Sequence, residues 1–178
     1  MYTTQETICA LATPSGSGAI GIIRLSGPKA YEIANSLFHG KDLTQQASHT
    51  IHFGTIREKD KIIDEVLVSL FKGPNSYTGE DSVEISCHGS PFILQRIMEL
   101  CIQKGAQAAQ PGAFTLRAYL NQKMDLSQAE AVSDLIAAES EGAHRLALQQ
   151  MRGGYSQEIQ ELRQQLLDFA SLIALELD

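Results

Sequence analysis

The sequence has no tryptophan, few other aromatic residues and few cysteines. The three cysteines, Cys9, Cys87 and Cys101, are widely spaced, and none belongs to a CxxC pair. An odd number of scattered cysteines is a poor basis for a disulfide framework or for a zinc site built from thiolates. The composition therefore favours a reducing compartment, and we predict a cytoplasmic protein.

Long apolar runs and basic clusters are also missing. No stretch approaches the ~20 apolar residues that a helix needs to cross a bilayer, and the N-terminal residues MYTTQETICALATP lack the basic and apolar regions of a secretory signal. The formal net charge is −7, which argues against a broad, nonspecific grip on nucleic acid. We predict no membrane association, and a nucleic-acid contact through a partner with its own basic surface stays open.

A nucleotide-binding loop of the form GxxxxGK[ST] does not occur in the sequence. The glycine-rich stretch PSGSGAIG at residues 14–21 lacks the lysine and the hydroxyl residue of such a loop, and a strand rather than a helix follows it. These residues favour a glycine turn between two strands. The chain as given is not expected to bind a nucleoside triphosphate by that route.

Hydrophobic residues make up 43% of the chain and charged residues 20%, as in ordinary globular proteins. In the first part of the chain, period-two strands and helical repeats mix without strict alternation, which predicts an α+β fold with a largely antiparallel or mixed sheet. From about Thr115 every periodic segment is helical. We therefore predict two domains, residues 1–117 and an all-helical segment at residues 118–178.

The strand SVEISCH at residues 82–88 alternates between an apolar face and a polar face that carries Glu84, Ser86 and His88. The strand GIIRLSG places Arg24 among apolar residues. Because a guanidinium in a strand must reach water, a carboxylate or an anionic ligand, three interpretations stay open: an exposed strand face, a ligand contact, or an Arg24–Glu84 ion pair. We interpret His88 as a structural or hydrogen-bonding residue.

The helical segment contains one predicted capping box and one long amphipathic stretch. Ser127 is the expected N-cap of a helix, with Glu130 three residues later. Beyond an interruption expected at the glycine pair 153–154, apolar residues recur at three- and four-residue steps up to Leu177. Because no glycine, proline or polar tail ends this stripe, we interpret Asp178 as a cut within a helix. The alternative is a natural chain whose final helix docks.

Three segments resemble, in order and spacing, the N-terminal part of the TrmE/MnmE family of tRNA-modification GTPases. They are ATPSGSGAIGIIRLSGP, GPNSYTGEDSVEISCHGSP and QPGAFTLRAYLNQKMDLSQAEAVSDLIAA. The resemblance implies a domain similar to the tetrahydrofolate-binding domains of one-carbon enzymes, followed by a helical domain truncated before an inserted GTPase domain. Two positions depart from the family pattern: Ala113 stands where the family commonly has glutamate, and Ser15 where it commonly has a second proline.

The resemblance also implies a function. The full protein, with a flavin-dependent partner (MnmG, also called GidA), adds an aminomethyl-type group at carbon 5 of the wobble uridine of tRNA. Its N-terminal domain forms a homodimer and binds 5-formyl- or 5,10-methylene-tetrahydrofolate, whereas GTP, potassium and magnesium belong to the GTPase domain.

The family's folate contacts correspond to Arg24, Glu84 and Lys123. The resemblance implies that the Glu84 carboxylate accepts hydrogen bonds from the pterin's amino and ring N–H groups. The two cations then hold ligand carbonyls or the carboxylates of the glutamate tail. No catalytic residue and no metal ligand is predicted in this chain.

Two other functions stay open at this point. The first is a structural module that dimerises without binding folate. The second is a free-standing one-carbon transferase, which needs a second substrate site and a catalytic acid or base that the sequence does not offer. Affinity for 5-formyltetrahydrofolate separates the folate-binding domain from the structural module.

Overall fold

The computed structural model describes residues 5–177, except for the side chains of residues 155–158 and 174–177. Asp178 and the side chain of Leu177, which carried the interpretation of a cut helix, lie outside the described part. The chain forms two compact units, of which the first ends at Lys123 and the second begins at Met124. The predicted domain boundary between residues 117 and 118 falls within a helix of the first unit and stays a prediction.

In the described part of the first unit, one sheet of seven strands forms the centre. The strands are β1 (Ile8–Leu11), β2 (Ile20–Ser26), β3 (Phe38–His39), β4 (Thr50–Glu58), β5 (Lys61–Phe71), β6 (Ser82–His88) and β7 (Gln107–Ala108). Their order across the sheet is β3-β4-β5-β6-β2-β1-β7, and all neighbours are antiparallel except β1 and β7. The predicted α+β fold with a mixed, largely antiparallel sheet is confirmed.

In the described part of this unit, three α-helices accompany the sheet, α1 (Ala30–Leu37), α2 (Pro91–Gln103) and α3 (Ala113–Leu120), together with a short 3₁₀ helix (Leu43–Gln45). Helices α1 and α2 pack against the central strands. Pro91 occupies the first turn of α2, where its missing N–H costs nothing. The buried residues of α2 recur at helical spacing, namely Leu94, Ile97, Leu100 and Cys101.

Alternation along the central strands decides which side chains meet these helices. The inward residues of β2 and β6 are fully buried, namely Ile23, Leu25, Val83 and Ile85. Burying each such aliphatic side chain contributes about 1.5–3 kcal/mol, so this face anchors the sheet. The opposite face, called the open face below, carries the half-buried Arg24 and Glu84 and several exposed apolar residues, namely Ile20, Ile51, Phe53 and Leu67.

The second unit is helical, as predicted from the sequence. It contains α4 (Leu126–Ala137), α5 (Glu141–Met151) and α6 (Gly154–Leu177). The expected interruption is confirmed at Gly153, which adopts a φ of 83° between α5 and α6. The described apolar residues of the α6 stripe remain exposed, namely Ile159, Leu162, Leu166, Phe169 and Ile173. Among residues 5–177, no helix has the length and apolarity that spanning a membrane requires.

The predicted cap at Ser127 is wrong, because α4 begins earlier and Asp125 is its N-cap. The Asp125 carboxylate accepts a hydrogen bond from the Gln128 backbone N–H at 2.9 Å, and the Gln128 side-chain oxygen accepts one from the Asp125 N–H at 2.9 Å. An Asp-x-x-Gln pair satisfies two free backbone donors in the same way as the Ser-x-x-Glu pair does.

Candidate functional site

Arg24 and Glu84 lie side by side on the open face of the sheet. Strands β2 and β6 pair with each other, and Arg24 is directly opposite Glu84 in this pairing. The Arg24 Nη2 atom lies 2.7 Å from Glu84 Oε1, and the Arg24 Nε–H donates to the same oxygen at 2.8 Å. The side chains are 27% and 24% exposed. Of the three interpretations of Arg24, the ion pair is the one that the structure contains.

This ion pair uses only part of each group. Both Arg24 contacts end on Glu84 Oε1, and within the described residues Glu84 Oε2 and Arg24 Nη1 have no hydrogen-bond partner. An ionised carboxylate has about four acceptor positions, and a guanidinium has about five N–H donors. Both groups therefore keep the capacity to bind a planar ligand that presents N–H and carbonyl groups side by side.

Two aromatic rings flank the Arg24 guanidinium. Its Cζ atom lies 5.3 Å from the centroid of the Tyr77 ring and 5.5 Å from that of the Phe114 ring. The Tyr77 hydroxyl lies 2.9 Å from the Thr115 hydroxyl, which joins the loop after β5 to α3. Cation–π attraction at this range favours the observed position of the guanidinium. The rings also place flat apolar surfaces beside the carboxylate.

A buried polar network holds the loop that carries Tyr77. The Arg117 Nη1–H group donates to the two Glu80 carboxylate oxygens at 2.9 and 3.2 Å, and the Ser26 hydroxyl donates to Glu80 Oε2 at 2.8 Å. The hydroxyl oxygens of Ser26 and Thr78 are 2.7 Å apart. Because the network joins loop residues 78–80 to β2 and α3, it fixes the loop beside the ion pair.

Lys123, the third predicted contact, does not join the ion pair. Its ammonium donates to the Pro74 carbonyl oxygen at 3.0 Å. It lines an open cleft of about 580 Å³, together with His49, Phe71, Asn75, Ser76 and Tyr77. The Tyr77 ring is thus common to both places: it contacts the Arg24 guanidinium and also lines the cleft of Lys123.

Gly79 lets the loop approach Lys123 this closely. Its φ is +78°, a left-handed conformation that residues with a Cβ atom rarely adopt. A Cβ atom at this position would lie 3.2 Å from the Lys123 Cγ atom and 3.2 Å from the Asn121 Cβ atom. The Asn121 side-chain amide donates to the Thr78 carbonyl oxygen at 2.7 Å, which fixes the same contact from the other side.

His88 forms a second polar contact on β6, with an acidic residue of β5. The buried Asp64 carboxylate accepts from the His88 ring nitrogen Nδ1 at 2.8 Å and from the His88 backbone N–H at 2.8 Å. The interpretation of His88 as a hydrogen-bonding residue is therefore confirmed. Asp64 is not among the residues predicted from the sequence, although its position is informative. It shares the buried phase of β5 with Val66 and Val68, where a carboxylate needs a partner.

The sequence also does not predict the contacts of Tyr77, Phe114 and the Glu80–Arg117 pair. Tyr77 lies in a loop without periodicity, and Phe114 lies in the first turn of α3, so neither carries a local signal for its contact with Arg24. Arg117 offered one indirect signal. It falls on the helix face that also carries the buried Ala113, and a buried arginine requires an acidic partner.

The cysteines do not supply a nucleophile to this part of the molecule. Burial raises the pKa of the Cys9 and Cys87 thiols to about 11 and that of Cys101 to about 12. A thiol with such a pKa stays protonated at neutral pH, whereas nucleophilic attack requires the thiolate. In the described part of the chain, no group of three histidine, cysteine, aspartate or glutamate side chains is placed to hold a metal ion.

Two family models match the chain. Residues 7–123 match the model described as the N-terminus of the GTP-binding protein TrmE. Residues 126–178 match the model described as the MnmE helical domain. The join between the two matches lies close to the division between the compact units at Lys123 and Met124.

Curated relatives agree with these matches. The chain is 61% identical over 177 residues to the tRNA modification GTPase MnmE of Flavobacterium johnsoniae. It is 58% identical over 178 residues to the protein of the same name from Bacteroides thetaiotaomicron, and 56% identical over 173 residues to that from Cytophaga hutchinsonii. These alignments cover 97–98% of the chain and 38% of the length of each relative.

Proposed function

The chain belongs to the TrmE/MnmE family of tRNA-modification GTPases, and from this premise we propose that it is the folate-binding and dimerising part of such an enzyme. The whole enzyme, with the flavin-dependent partner MnmG (GidA), adds an aminomethyl-type group at carbon 5 of the wobble uridine of tRNA in the cytoplasm. The GTP-hydrolysing domain, with its potassium and magnesium ions, belongs to sequence outside these 178 residues.

The observation that carries this proposal is the ion pair between Arg24 and Glu84, in which Glu84 Oε2 and Arg24 Nη1 remain without a hydrogen-bond partner among the described residues. The Arg24 contacts occupy Glu84 Oε1 and leave both acceptor positions of Oε2, which accept from the amino and ring N–H groups of a tetrahydropterin. Arg24 Nη1 donates to the ring carbonyl. The rings of Tyr77 and Phe114 flank the guanidinium. They form apolar walls beside the position of the pterin ring.

Lys123 takes the other end of the ligand. Its cleft of about 580 Å³ lies within the range of about 300–1,000 Å³ that small-molecule pockets span. The ammonium has three donors, so it keeps its hydrogen bond to the Pro74 carbonyl while it binds a carboxylate of the glutamate tail. Tyr77 then lies between the ring and the tail of the folate.

Isothermal titration calorimetry with 5-formyltetrahydrofolate tests this proposal. Glu84→Gln keeps the size of the side chain but replaces one acceptor oxygen with an NH₂ donor. At least one N–H group of the ligand then has no acceptor. We expect the affinity to fall at least about 10-fold, the equivalent of ~1–3 kcal/mol for an unpaired polar group. Glu32→Gln on α1 removes the same charge from an exposed position away from the site, and should bind like wild type. Equal affinity of Glu84→Gln and Glu32→Gln would remove Glu84 from the site.

A structural dimerisation module without folate binding is the second candidate, and one observation favours it. Arg24 and Glu84 neutralise each other, and Lys123 donates to a backbone carbonyl, so all three groups have a partner within the chain. This candidate predicts a homodimer with no folate affinity. Sedimentation velocity combined with calorimetry separates the two: the folate-binding dimer gives both a dimer and binding heat, and the structural module gives the dimer alone.

A further inference from the structure

No aspartate or glutamate is among the described residues that line the cleft of Lys123, namely His49, Phe71, Asn75, Ser76, Tyr77 and Lys123. The whole sequence, in contrast, has 21 acidic residues against 14 lysines and arginines. Exposed charges further apart than about 8 Å are largely screened at physiological ionic strength. The lining residues rather than the net charge of the chain therefore decide which ligand the cleft accepts, and their fixed charge is the positive one of Lys123.

Two side chains of this cleft keep N–H donors for a ligand. The Lys123 ammonium has three N–H groups and donates one of them to the Pro74 carbonyl oxygen at 3.0 Å. Asn75 is exposed, and only its backbone N–H is bonded within the described residues, to the Lys72 carbonyl oxygen at 3.0 Å. Its side-chain NH₂ group therefore keeps both donors. A cation and a free amide donor in one cleft favour a ligand that carries more than one carboxylate.

Aromatic rings give the same cleft an apolar wall. The rings of His49 and Phe71 meet edge to face, with their centroids 5.7 Å apart and their planes at 89°, and the Tyr77 ring also lines the cleft. Such surfaces pack against methylene groups. Pockets of about 300–1,000 Å³ enclose most of a drug-sized ligand, so a cleft of about 580 Å³ has room for more than one glutamate residue.

A chain of γ-linked glutamates combines both properties, because each residue adds one carboxylate and a pair of methylene groups. We propose that the cleft of Lys123 selects folates whose tail carries more than one γ-linked glutamate. Lys123 binds a carboxylate of the first glutamate, and the Asn75 side-chain amide donates to a carboxylate of a later one. This inference rests on the proposed function, since the tail reaches the cleft only from a pterin ring bound at Arg24 and Glu84.

Calorimetry on the full chain with two forms of 5-formyltetrahydrofolate, one with a single glutamate and one with three, tests this selection. The triglutamate should bind about 3- to 10-fold more tightly, as expected for two additional carboxylates in an exposed site. Asn75→Asp keeps the size of the side chain but replaces the amide donors with a negative charge, so it should remove most of this difference. Gln103→Glu makes the same change from amide to acid at an exposed position of α2 outside the cleft, and should keep the difference.

The side-chain NH₂ signals of Asn75 give a second readout, which a change in stability alone does not move. In ¹⁵N-labelled chain, saturation with the triglutamate should shift these signals further than saturation with the monoglutamate. Equal affinity of the two folates for wild type, or the same difference in Asn75→Asp as in Gln103→Glu, would overturn the inference. Binding of the monoglutamate that is weakened by Glu84→Gln would then leave the proposed function standing, whereas failure of both folates to bind would reject the inference together with the proposed function.

Discussion

Arg117→Met tests whether the buried ion pair with Glu80 holds the loop that carries Tyr77. The side chains of Arg117 and Glu80 are 5% and 12% exposed, and the carboxylate also accepts from the Ser26 hydroxyl. Removing the guanidinium leaves the nearly buried Glu80 carboxylate without its ionic partner, because methionine fills the space but has no hydrogen-bond donor. Breaking a buried pair in this way costs about 3–5 kcal/mol, far more than the loss of an exposed pair.

Urea unfolding followed by circular dichroism measures this cost. The matched control is Arg96→Met, which breaks a more exposed pair with Glu58 and Glu99 and should change the midpoint clearly less. The double variant Arg117→Met/Glu80→Gln removes both charges and should recover at least half of the lost stability, because no ionised carboxylate is left without its partner. Equal midpoints for the Arg117 and Arg96 variants, or no recovery in the double variant, would refute the reasoning.

Two further predictions concern the thiols and the cap of α4. Burial raises the pKa of Cys87 to about 11 and that of Cys101 to about 12, so the folded chain keeps protons that the unfolded chain releases above about pH 9. The free energy of unfolding should therefore fall as the pH rises from about 9 to 11, and it should fall less steeply in Cys101→Val. Urea unfolding at a series of pH values measures this free energy. A flat or rising profile would contradict the raised pKa values of the thiols. Asp125→Ala should cost about 1 kcal/mol through loss of the capping box, and Ser127→Ala less than about 0.5 kcal/mol; thermal unfolding of both variants checks this, and the reverse order would argue for the cap at Ser127.

The strand phases were predictable because alternation is a local property. Val83, Ile85 and Cys87 lie in the core, and Glu84 and His88 lie on the other face, as the two-residue period of SVEISCH indicates. The start of α4 was less certain, since Asp125 and Ser127 both begin a plausible capping box within three residues. Only the dihedral angles of the folded chain, with Asp125 extended and Leu126 helical, decide between them.

The candidate site was only partly predictable because its members come from distant segments. Cross-strand register places Arg24 opposite Glu84. Alternation along each strand puts both side chains on polar faces, but it does not show that the two strands are neighbours or in which register they pair. The positions of Tyr77 and Phe114 beside Arg24 depend on how a loop and a helix end pack, and no short-range pattern encodes that packing. Lys123 likewise depends on the loop at Gly79, whose left-handed backbone brings Thr78 to Asn121.

The most direct test of the central claim follows the Arg24 side chain during a folate titration. In ¹⁵N-labelled chain, the Nε–H signal of Arg24 reports its hydrogen bond to Glu84 Oε1. Addition of 5-formyltetrahydrofolate should move this signal to saturation in wild type, with the midpoint that calorimetry gives. An Arg24 signal that stays fixed while the folate binds would show that the ligand occupies another place, and would contradict the account.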